Sequence, residues 1–528
     1  MTREYVIGEK PLSLVQVGDF VFSRDRVSSI KVSPDCLERV RKSHHRLYEF
    51  MERQVPIYGV TTGFGDSCFR VIPKEKSEQL QSNLISYLLC GTGKALPKEA
   101  SRAMMLFRLQ SLSRGFSGIS PELVQRIALY LEKDWIPVVP REGSLGASGD
   151  LIPLAYLAQA LQGEGELHGD EDQKLSTREV LSRAGVEPYV LKAKEGLALV
   201  NGTSAMAGLC LVNLNSARFL TELGSLMSSW LCLGLQGRTE PFEPFVNERA
   251  KQHSGQTESA QHILEFLKAE SYFSKPLDQV QIQGSQIQEF IQDRYSLRCA
   301  PQILGPVLET LSLAEGWLQL EGSGVSDNPL VDAEGNLAMG GNFYGGYLSH
   351  GMDYLKISLA QLADLFDRQL TSLIDEKSNR GLPANLAAWN SMPESERFLH
   401  HGLKGLHQAV NALTSEILPK AVPNSIFSRS SESHNQDKVS LGMSAAVQCM
   451  EMIEPLFTLS AMYLICLAQA IDLRKIQLKG SVSSQYYEMI RGTVPFVERD
   501  QSLEKSVRVL ARKLKTLAAK RRESGAIL

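Results

Sequence analysis

The sequence predicts a mainly α-helical protein whose long helices pack as a bundle, with a smaller region of mixed structure at the N-terminus. Two apolar series support the bundle, because their residues recur every three or four positions, as on one face of a helix. The first series consists of Leu355, Leu359, Leu362, Phe366, Leu370 and Leu373, and the second of Met443, Val447, Met450, Ile453 and Leu456. Loops rich in Gly and Asn join these segments, which is typical of a bundle.

The composition is that of a globular protein with a small ligand. Of 528 residues, 43% are hydrophobic and 22% are charged, which argues against disorder, and the net charge of −3 leaves no basic excess for nucleic acid. The eight cysteines form no CxxC pair or zinc spacing, so we expect reduced, mostly buried cysteines in a cytoplasmic protein. The N-terminus has no apolar core of a secretory signal. No HExxH occurs, and we expect no metal.

The N-terminal part of the chain alternates helical segments with loops. β-like runs are predicted at 5–7 and 19–22, a Gly/Thr-rich loop at 57–67 and a turn at 196–202. The predicted helices cover 34 to about 52, then 75–133 with breaks near 91–97 and 115–121, and a segment from about 151.

Two C-terminal segments invite a membrane interpretation that we do not favour. Residues 455–471 carry no charge, but a helix that spans a bilayer needs about 20 mostly apolar residues. We therefore expect this shorter segment to form a buried helix of the bundle. Residues 500–522 form a basic amphipathic helix, which favours a solvated or packing helix. The chain divides into three predicted domains, 1–200, 201–480 and 481–528.

The segment 143–154 reads Gly-Ser-Leu-Gly-Ala-Ser-Gly-Asp-Leu-Ile-Pro-Leu. Its centre, Ala147-Ser148-Gly149, is the smallest trio that can fold back so that the glycine nitrogen approaches the alanine carbonyl. Cyclisation with loss of water, followed by dehydration of the serine, would give a methylidene-imidazolone, an electrophile that no unmodified side chain supplies. Taken alone, the trio favours a plainer interpretation, a flexible loop entering a helix capped by Asp150.

Further motifs between residues 57 and 436 change that balance. They are 57–65 (IYGVTTGFG), 201–204 (NGTS), 292–298 (QDRYSLR), 327–330 (DNPL), 341–343 (GNF), and residue 432 with 435–436. With the trio, these motifs resemble the aromatic amino acid lyases, which comprise the histidine, phenylalanine and tyrosine ammonia-lyases and their aminomutase relatives.

The resemblance implies a role for each matching residue. Tyr58, on a mobile loop, is the expected base; Ala147, Ser148 and Gly149 form the ring, beside Asn201 and Tyr295. The expected substrate-binding residues are Tyr87, Leu88, Leu197, Gln292, Arg298, Asn328, Phe343, Lys404, Glu432 and Gln436. The 4-methylidene-imidazol-5-one is the expected cofactor, with no metal and no dissociable group.

Elementary chemistry supports several of these roles. Arg298 offers a planar two-donor fork for a substrate carboxylate, and Tyr58 is a candidate to remove the weakly acidic β-hydrogen. The amine leaves poorly unless an electrophile holds it, which is the task of the ring. Plainer alternatives stay open: an exposed loop position for Tyr58, ion pairs for Arg298 and Glu432, and turn or capping roles for Asn201, Tyr295, Asn328 and Gln436.

Tyr87 and Leu88 align with the family's ring-selectivity pair, which is usually Phe-Leu for phenylalanine, His-Leu for tyrosine and Ser-His for histidine. Tyr-Leu is none of these, although some tyrosine aminomutases are similar, and Lys404 is typical of the phenylalanine/tyrosine branch. Ser326 and Tyr344 also depart from the usual Asn and Gln or His. Because a buried phenol hydroxyl needs a hydrogen-bond partner, Tyr87 favours a polar ring such as that of tyrosine.

By resemblance, the fold is a fumarase-like long-helix bundle with a smaller N-terminal mixed domain that carries the electrophilic loop. We expect a homotetramer with active sites shared between three chains, acting on a small aromatic amino acid and on neither nucleic acid nor membrane. The expected reaction is ammonia elimination from tyrosine or phenylalanine, or both, giving coumarate or cinnamate. The alternatives are an aromatic 2,3-aminomutase, a histidine ammonia-lyase, a fumarase-type lyase with unmodified residues and a catalytically dead structural relative.

Overall fold

Apolar residues at helical spacing form long helices in the computed structural model, which describes residues 4–8, 10–23, 29–170, 173–287 and 290–520. The α-helices are α1 (Leu14–Phe22), α2 (Pro34–Glu52), α3 (Ser77–Leu88), α4 (Lys98–Leu112), α5 (Pro121–Glu132), α6 (Leu151–Leu161), α7 (Thr177–Ala184), α8 (Glu195–Val200), α9 (Ser204–Leu235), α10 (Ser254–Ala269), α11 (Tyr295–Arg298), α12 (Ala300–Ser323), α13 (Gly346–Ile374), α14 (Glu394–Arg397), α15 (Lys404–Ile417), α16 (Gly442–Leu473), α17 (Ser481–Arg491) and α18 (Glu504–Lys520).

The strands are short and pair two by two. β1 (Glu4–Ile7) and β2 (Ser29–Val32) are parallel, whereas the other pairs are antiparallel. These are β3 (Thr92–Ala95) with β4 (Pro140–Glu142), β5 (Glu166–His168) with β6 (Lys174–Ser176), β7 (Ile282–Gln283) with β8 (Gln286–Ile287), and β9 (Leu330–Val331) with β10 (Leu337–Ala338).

The chain forms two compact units. Unit 1 comprises Met1–Leu214, Ala314–Asp353 and Pro423–Gln448, and unit 2 comprises Asn215–Leu313, Tyr354–Val422 and Cys449–Leu528. The three predicted domains, 1–200, 201–480 and 481–528, stay a prediction, because compact units of contacting residues need not coincide with continuous stretches of chain.

The predicted helices are confirmed where the apolar spacing is strongest. All six residues of the first apolar series lie in α13 and are fully buried. The uncharged segment 455–471 lies within α16, whose most apolar window is 78% buried. Among the described residues, α16 is the one helix that is long and apolar enough to cross a membrane. A buried core helix passes the same test, and the burial of α16 agrees with that interpretation. Five cysteines are buried, as expected.

Two elements were wrongly predicted. Most of the turn predicted at 196–202 is the short helix α8, which ends at Val200. The β-like run 19–22 is the end of helix α1. The helix begins with a capping box, in which the Ser13 side chain accepts from the backbone of Gln16 and the Gln16 side chain accepts from the backbone of Ser13. A local apolar run does not report this upstream cap, which fixes the helical conformation of the residues that follow.

Candidate active site

A cavity of about 400 Å³ lies in unit 1. Ten of the residues singled out from the sequence line it: Tyr58, Tyr87, Leu88, Ala147, Ser148, Gly149, Leu197, Asn201, Glu432 and Gln436. Segments far apart in the chain therefore meet around one space large enough for an amino acid.

The Ala-Ser-Gly trio forms a tight turn just before α6. Gly149 has φ +70°, a left-handed conformation that favours glycine, and a Cβ there would overlap the Gly202 carbonyl. The Asp150 N–H donates to that same carbonyl oxygen at 2.8 Å. Only glycine suits position 149, and the backbone of the turn is held against Gly202.

Asp150 stands at the N-cap position of α6, but its side chain does not cap that helix. Its carboxylate instead accepts the Met206 N–H at 2.7 Å, at the start of α9, and the Ser144 hydroxyl at 2.9 Å. Burial raises the pKa of Asp150 to about 7, although both hydrogen bonds oppose the rise. Asp150 thus connects the start of α6 to the start of α9 in the protein interior.

Tyr58 lies on a loop that is anchored on both sides, because its neighbours Ile57 and Val60 are fully buried in a core cluster. Its phenol oxygen accepts the Gly65 N–H at 2.7 Å, and the Phe64 ring packs edge-on at a centroid distance of 6.4 Å. Burial raises the pKa of Tyr58, whereas the Gly65 hydrogen bond lowers it. In this single chain the phenol form of Tyr58 is favoured.

The polar strip 431–436 contacts both the Tyr58 loop and the trio. A Glu432 carboxylate oxygen accepts the Asp66 N–H at 3.0 Å, and the Gln436 Nε2 donates to the Ser148 hydroxyl at 3.3 Å. Glu432, Ser433 and His434 all have positive φ, at 49°, 51° and 63°. Three consecutive left-handed residues form a turn that aims both side chains at the cavity.

Asn201 is buried at the end of α8, where it lines the cavity. Its Nδ2 donates to the Asn328 carbonyl oxygen at 3.2 Å. Its Oδ1 is buried and has no hydrogen-bond partner among the described residues. The site thus contains an acceptor that the described part of the chain leaves unsatisfied.

The last turn of α3 contributes the predicted selectivity pair. Leu88 is buried, whereas Tyr87 keeps 59% of its surface accessible at the edge of the cavity. Partial burial raises the pKa of Tyr87 to about 12, and the nearby Tyr58 and Glu432 add to the rise. The Tyr87 hydroxyl therefore stays protonated and able to donate a hydrogen bond.

Six predicted residues do not line this cavity. Asn328 accepts a hydrogen bond from Asn201, which does line the cavity, and Phe343 is partly buried elsewhere in unit 1. Gln292 and Arg298 line a second cavity of about 310 Å³ in unit 2. The Arg298 guanidinium lies 4.6 Å from the ring centre of the exposed Tyr295, and its Nε has no partner among the described residues. Lys404 is exposed at the start of α15.

Sequence reasoning missed two kinds of residue. The apolar wall includes Phe64, Leu145 and Ile152, whose types are ordinary for a core. Lys194 and Asp327 do not line the cavity, but they form an ion pair of 2.7 Å with both side chains fully buried. Asp327 belongs to the 327–330 motif, but no pattern indicated that Lys194 would be its partner.

Comparisons with known proteins agree on one family. A family model described as aromatic amino acid lyase matches residues 12–492. A histidine ammonia-lyase of Gloeobacter violaceus is 37% identical over 488 residues, 91% of each chain. A tyrosine 2,3-aminomutase of Myxococcus sp. is 37% identical over 484 residues, 88% of this chain and 89% of its own.

A solved structure extends the likeness to the fold. The phenylalanine aminomutase of Pantoea agglomerans has a TM-score of 0.90 and 31% identity, over 98% of this chain and 100% of its own. The likeness confirms the predicted mainly α-helical, fumarase-like bundle. The three relatives are named for three different amino acids, so the ring of the substrate is not fixed by similarity.

Proposed function

Since the chain belongs to the aromatic amino acid lyase family, whose named ammonia-lyases are carbon–nitrogen lyases, we propose that it eliminates ammonia from an aromatic L-amino acid. The observation that carries the proposal is the meeting of Tyr58 with Ala147, Ser148 and Gly149 around one cavity. A base and the source of an electrophile are the two groups that this elimination needs. The product would be an arylacrylate.

The residues around the trio suit the proposed ring. Gly149 already has the left-handed φ of a tight turn, and the partnerless Asn201 Oδ1 lies at the same cavity. When formed, the methylidene-imidazolone supplies an electrophile that holds the amino group as it leaves. The hydrogen bond from Gln436 to the Ser148 hydroxyl would orient the serine.

Proton removal from the β-carbon is assigned to Tyr58. The Gly65 N–H that donates to its phenol oxygen would also stabilise the phenolate, because a donor strengthens as negative charge grows on its acceptor. The edge-on Phe64 ring covers Tyr58 and would help to exclude water from the reacting atoms.

The substrate carboxylate is assigned to Arg298, assisted by Gln292. Both residues line the unit 2 cavity, where the Arg298 Nε lacks a partner among the described residues. In the proposed homotetramer, Arg298 of one subunit would serve the Tyr58 cavity of another, so that sites are shared between chains. Lys404, Phe343, Asn328 and Tyr295 complete the assembled site in this proposal.

The proposed substrate is tyrosine or phenylalanine. Tyr87 supports tyrosine, because its protonated hydroxyl at the cavity edge is able to pair with a hydroxyl on the substrate ring. Leu88 supports either ring over imidazole, since a buried leucine leaves the imidazole nitrogens without a partner. A cytoplasmic location remains a prediction from cysteine usage.

The similarity to tyrosine 2,3-aminomutases favours a second candidate. An aminomutase returns the ammonia to the β-carbon and uses the same ring, base and carboxylate clamp. The 37% identity to a histidine ammonia-lyase keeps histidine as a third candidate. These alternatives differ in product or substrate and are separated by one experiment.

That experiment incubates the purified chain with phenylalanine, tyrosine and histidine in separate reactions, followed by product analysis. Ammonia with coumarate or cinnamate supports the proposal. A β-amino acid as the main product would establish the aminomutase instead, and urocanate the histidine ammonia-lyase. A chain without turnover on all three amino acids would contradict the proposed function.

The ring is tested separately by mass. A peptide spanning 143–154 should weigh less than its sequence by two waters, and Ser148→Ala should abolish both this deficit and nearly all turnover while the chain stays folded. Gly316→Ala is the control, because Gly316 lies in α12 with open space around it, and both the mass deficit and the turnover should be kept. An unmodified peptide from fully active enzyme would rule out the ring.

A further inference from the structure

Lys194 and Asp327 are paired in the interior of unit 1, although 133 residues separate them in the sequence. Their side chains are fully buried, and the Lys194 Nζ lies 2.7 Å from the Asp327 Oδ2. Removing two charges from water costs free energy that their attraction seldom outweighs, so a buried pair is weak evidence for stability. The pair is better explained by the segments of chain that it joins than by a gain in stability.

Both partners adjoin segments that fix Asn201. Lys194 directly precedes α8, and Asn201 directly follows it. Asp327 precedes Asn328, whose carbonyl oxygen accepts from the Asn201 amide at 3.2 Å, and the second Asp327 oxygen accepts the Asn328 N–H at 2.7 Å. One carboxylate thus ties the start of α8 to the turn that meets its end.

A second buried cation supports the same connection. The fully buried Arg108 donates to the carbonyl oxygen of Ala198, within α8, and to the Ser326 hydroxyl at 3.4 Å. Ser326 also accepts the Thr203 N–H at 3.3 Å. Burial lowers the pKa of Arg108 to about 10, while the charge of Asp327 opposes the change. Two buried cations therefore interact with the Asp327 carboxylate, Lys194 by direct contact and Arg108 through its charge.

The Asn201 amide has one atom held and one atom without a partner. Its nitrogen is fixed by the Asn328 carbonyl, and this bond decides where its oxygen points. The oxygen is buried and has no hydrogen-bond partner among the described residues, and Asn201 lines the cavity. The direction of this acceptor follows from the position of the turn at 326–328.

We propose that Lys194 and Asp327 are positioning residues, which hold the Asn201 amide oxygen toward the cavity so that it accepts a hydrogen bond from the substrate amino group. This role rests on the proposed function. The two residues do not touch the substrate; they act through Asn201, so their removal should reduce kcat more than it changes KM.

The first test is the double substitution Lys194→Met with Asp327→Asn, which removes both charges of the pair, while Arg108 keeps its hydrogen bonds to the Ala198 carbonyl and the Ser326 hydroxyl. We expect a folded chain whose kcat falls by about 10²-fold, since a misplaced group near the reacting atoms costs that much, while KM changes by less than about 3-fold. A folded double variant with wild-type kcat would overturn the proposal.

A cycle with Asn201→Ala provides the decisive readout. If the pair acts through Asn201, adding the double substitution to Asn201→Ala should cause no further loss of kcat. Losses that multiply would show that the pair acts elsewhere and would overturn the proposal. Should the double variant fail to fold, Lys194→Met alone takes its place in the cycle, because it breaks the contact with Asp327 while the charge of Arg108 stays near that carboxylate.

Asp134→Asn is the control, because it removes a carboxylate from a more exposed ion pair, the 2.6 Å contact with Arg102, and neither residue lines the cavity. It should change the unfolding temperature without the selective loss of kcat. A wild-type chain without turnover on any aromatic amino acid would contradict the proposed function and with it this inference. An active wild type with a fully active double variant contradicts the positioning role alone.

Discussion

At the scale of single residues, the surroundings of Tyr58 bear on the proposal that it acts as a base. Burial raises its pKa, and the nearby charge of Glu432 adds to the rise. A phenol must lose its proton before it accepts one, and the raised pKa means that the ionised fraction grows only as the pH increases. Activity should therefore rise with pH.

The first prediction is that Tyr58→Phe lowers kcat by at least about 10²-fold, because the proton acceptor is removed. KM should change little, since the phenyl ring keeps its edge-on packing with Phe64. Steady-state rates across pH are the measurement: wild-type kcat/KM should climb from pH 7 into the alkaline range, and the variant should lack this rise. An equal rise in the variant would assign the base to another residue.

The second prediction concerns Tyr87, whose hydroxyl stays protonated at the cavity edge. Tyr87→Phe should lower the ratio of kcat/KM for tyrosine over phenylalanine, because a substrate hydroxyl loses its partner. Such discrimination reaches about 10⁴-fold where the unmatched group is buried, but the 59% exposure of Tyr87 predicts a much smaller change. An unchanged ratio, or a strong wild-type preference for phenylalanine, would show that Tyr87 does not select the ring.

At this scale, sequence reasoning singles out residues through motifs that resemble those of a known family. Ala147-Ser148-Gly149 and Tyr58 were selected in this way and line one cavity, while their catalytic roles stay a prediction. The Lys194–Asp327 pair was not found, because sequence spacing does not report which charges become buried together. The meeting of Asn201 with Asn328 likewise depends on the packing of distant segments.

At the scale of elements, the polar strip 431–436 and the loop that carries Tyr58 are joined through one glycine. Gly65 has φ +52° and lies so close to the Glu432 carboxylate that a Cβ there would overlap it. The Gly65 N–H also donates to the Tyr58 phenol. A single backbone position therefore sets the distance between strip and base.

The third prediction is that Gly65→Ala lowers kcat by about 10-fold or more, because it displaces Glu432 and shifts the donor to Tyr58. The left-handed conformation costs alanine only about 1–2 kcal/mol, so the chain should stay folded. Gly316→Ala is the control, since Gly316 lies in α12 with open space around it. Rates and melting curves of both variants are compared, and a Gly65→Ala chain with normal kcat would refute the coupling.

Helices were predictable from sequence to the extent that their signals are local. The apolar spacing and the Pro near the start of α2 gave its limits, and Ser33 caps it as the side chain suggests. The run 19–22 was wrongly predicted as a strand, because one aspartate followed by three apolar residues is equally compatible with a strand and with the end of a helix. The capping box at Ser13 and Gln16 was the signal that decides between them.

At the scale of the whole molecule, the predicted catalytic groups occupy two cavities. Tyr58 and the trio line the cavity of unit 1, whereas Gln292 and Arg298 line one in unit 2. The sequence motifs identify the residues of both cavities as candidates. They carry no information on whether the residues of one active site come from one chain or from several. Composition likewise gave no sign that unit 1 takes residues from three stretches of chain.

The fourth prediction tests sharing of sites between subunits. Tyr58→Phe and Arg298→Lys should each be nearly inactive, because one lacks the base and the other replaces a bidentate fork with a point charge. After the two variants are unfolded and refolded together, some sites should contain Tyr58 from one chain and Arg298 from another, and activity should return. Each variant refolded alone is the control, and a mixture as inactive as its parts would place both residues in one chain's site.

The division of unit 1 into three stretches bears on when the trio matures during protein synthesis. The Leu145 carbonyl accepts the Leu441 N–H at 3.0 Å, and the Gly146 carbonyl accepts the Ser440 hydroxyl at 3.1 Å. A ribosome releases residue 147 long before residue 440, so the nascent turn lacks these supports while most of the chain is still being made. We therefore expect closure of the proposed ring to be a late event of biosynthesis: a nascent chain stalled before residue 440 should carry a trio of unaltered mass, and the released full-length chain one lighter by two waters.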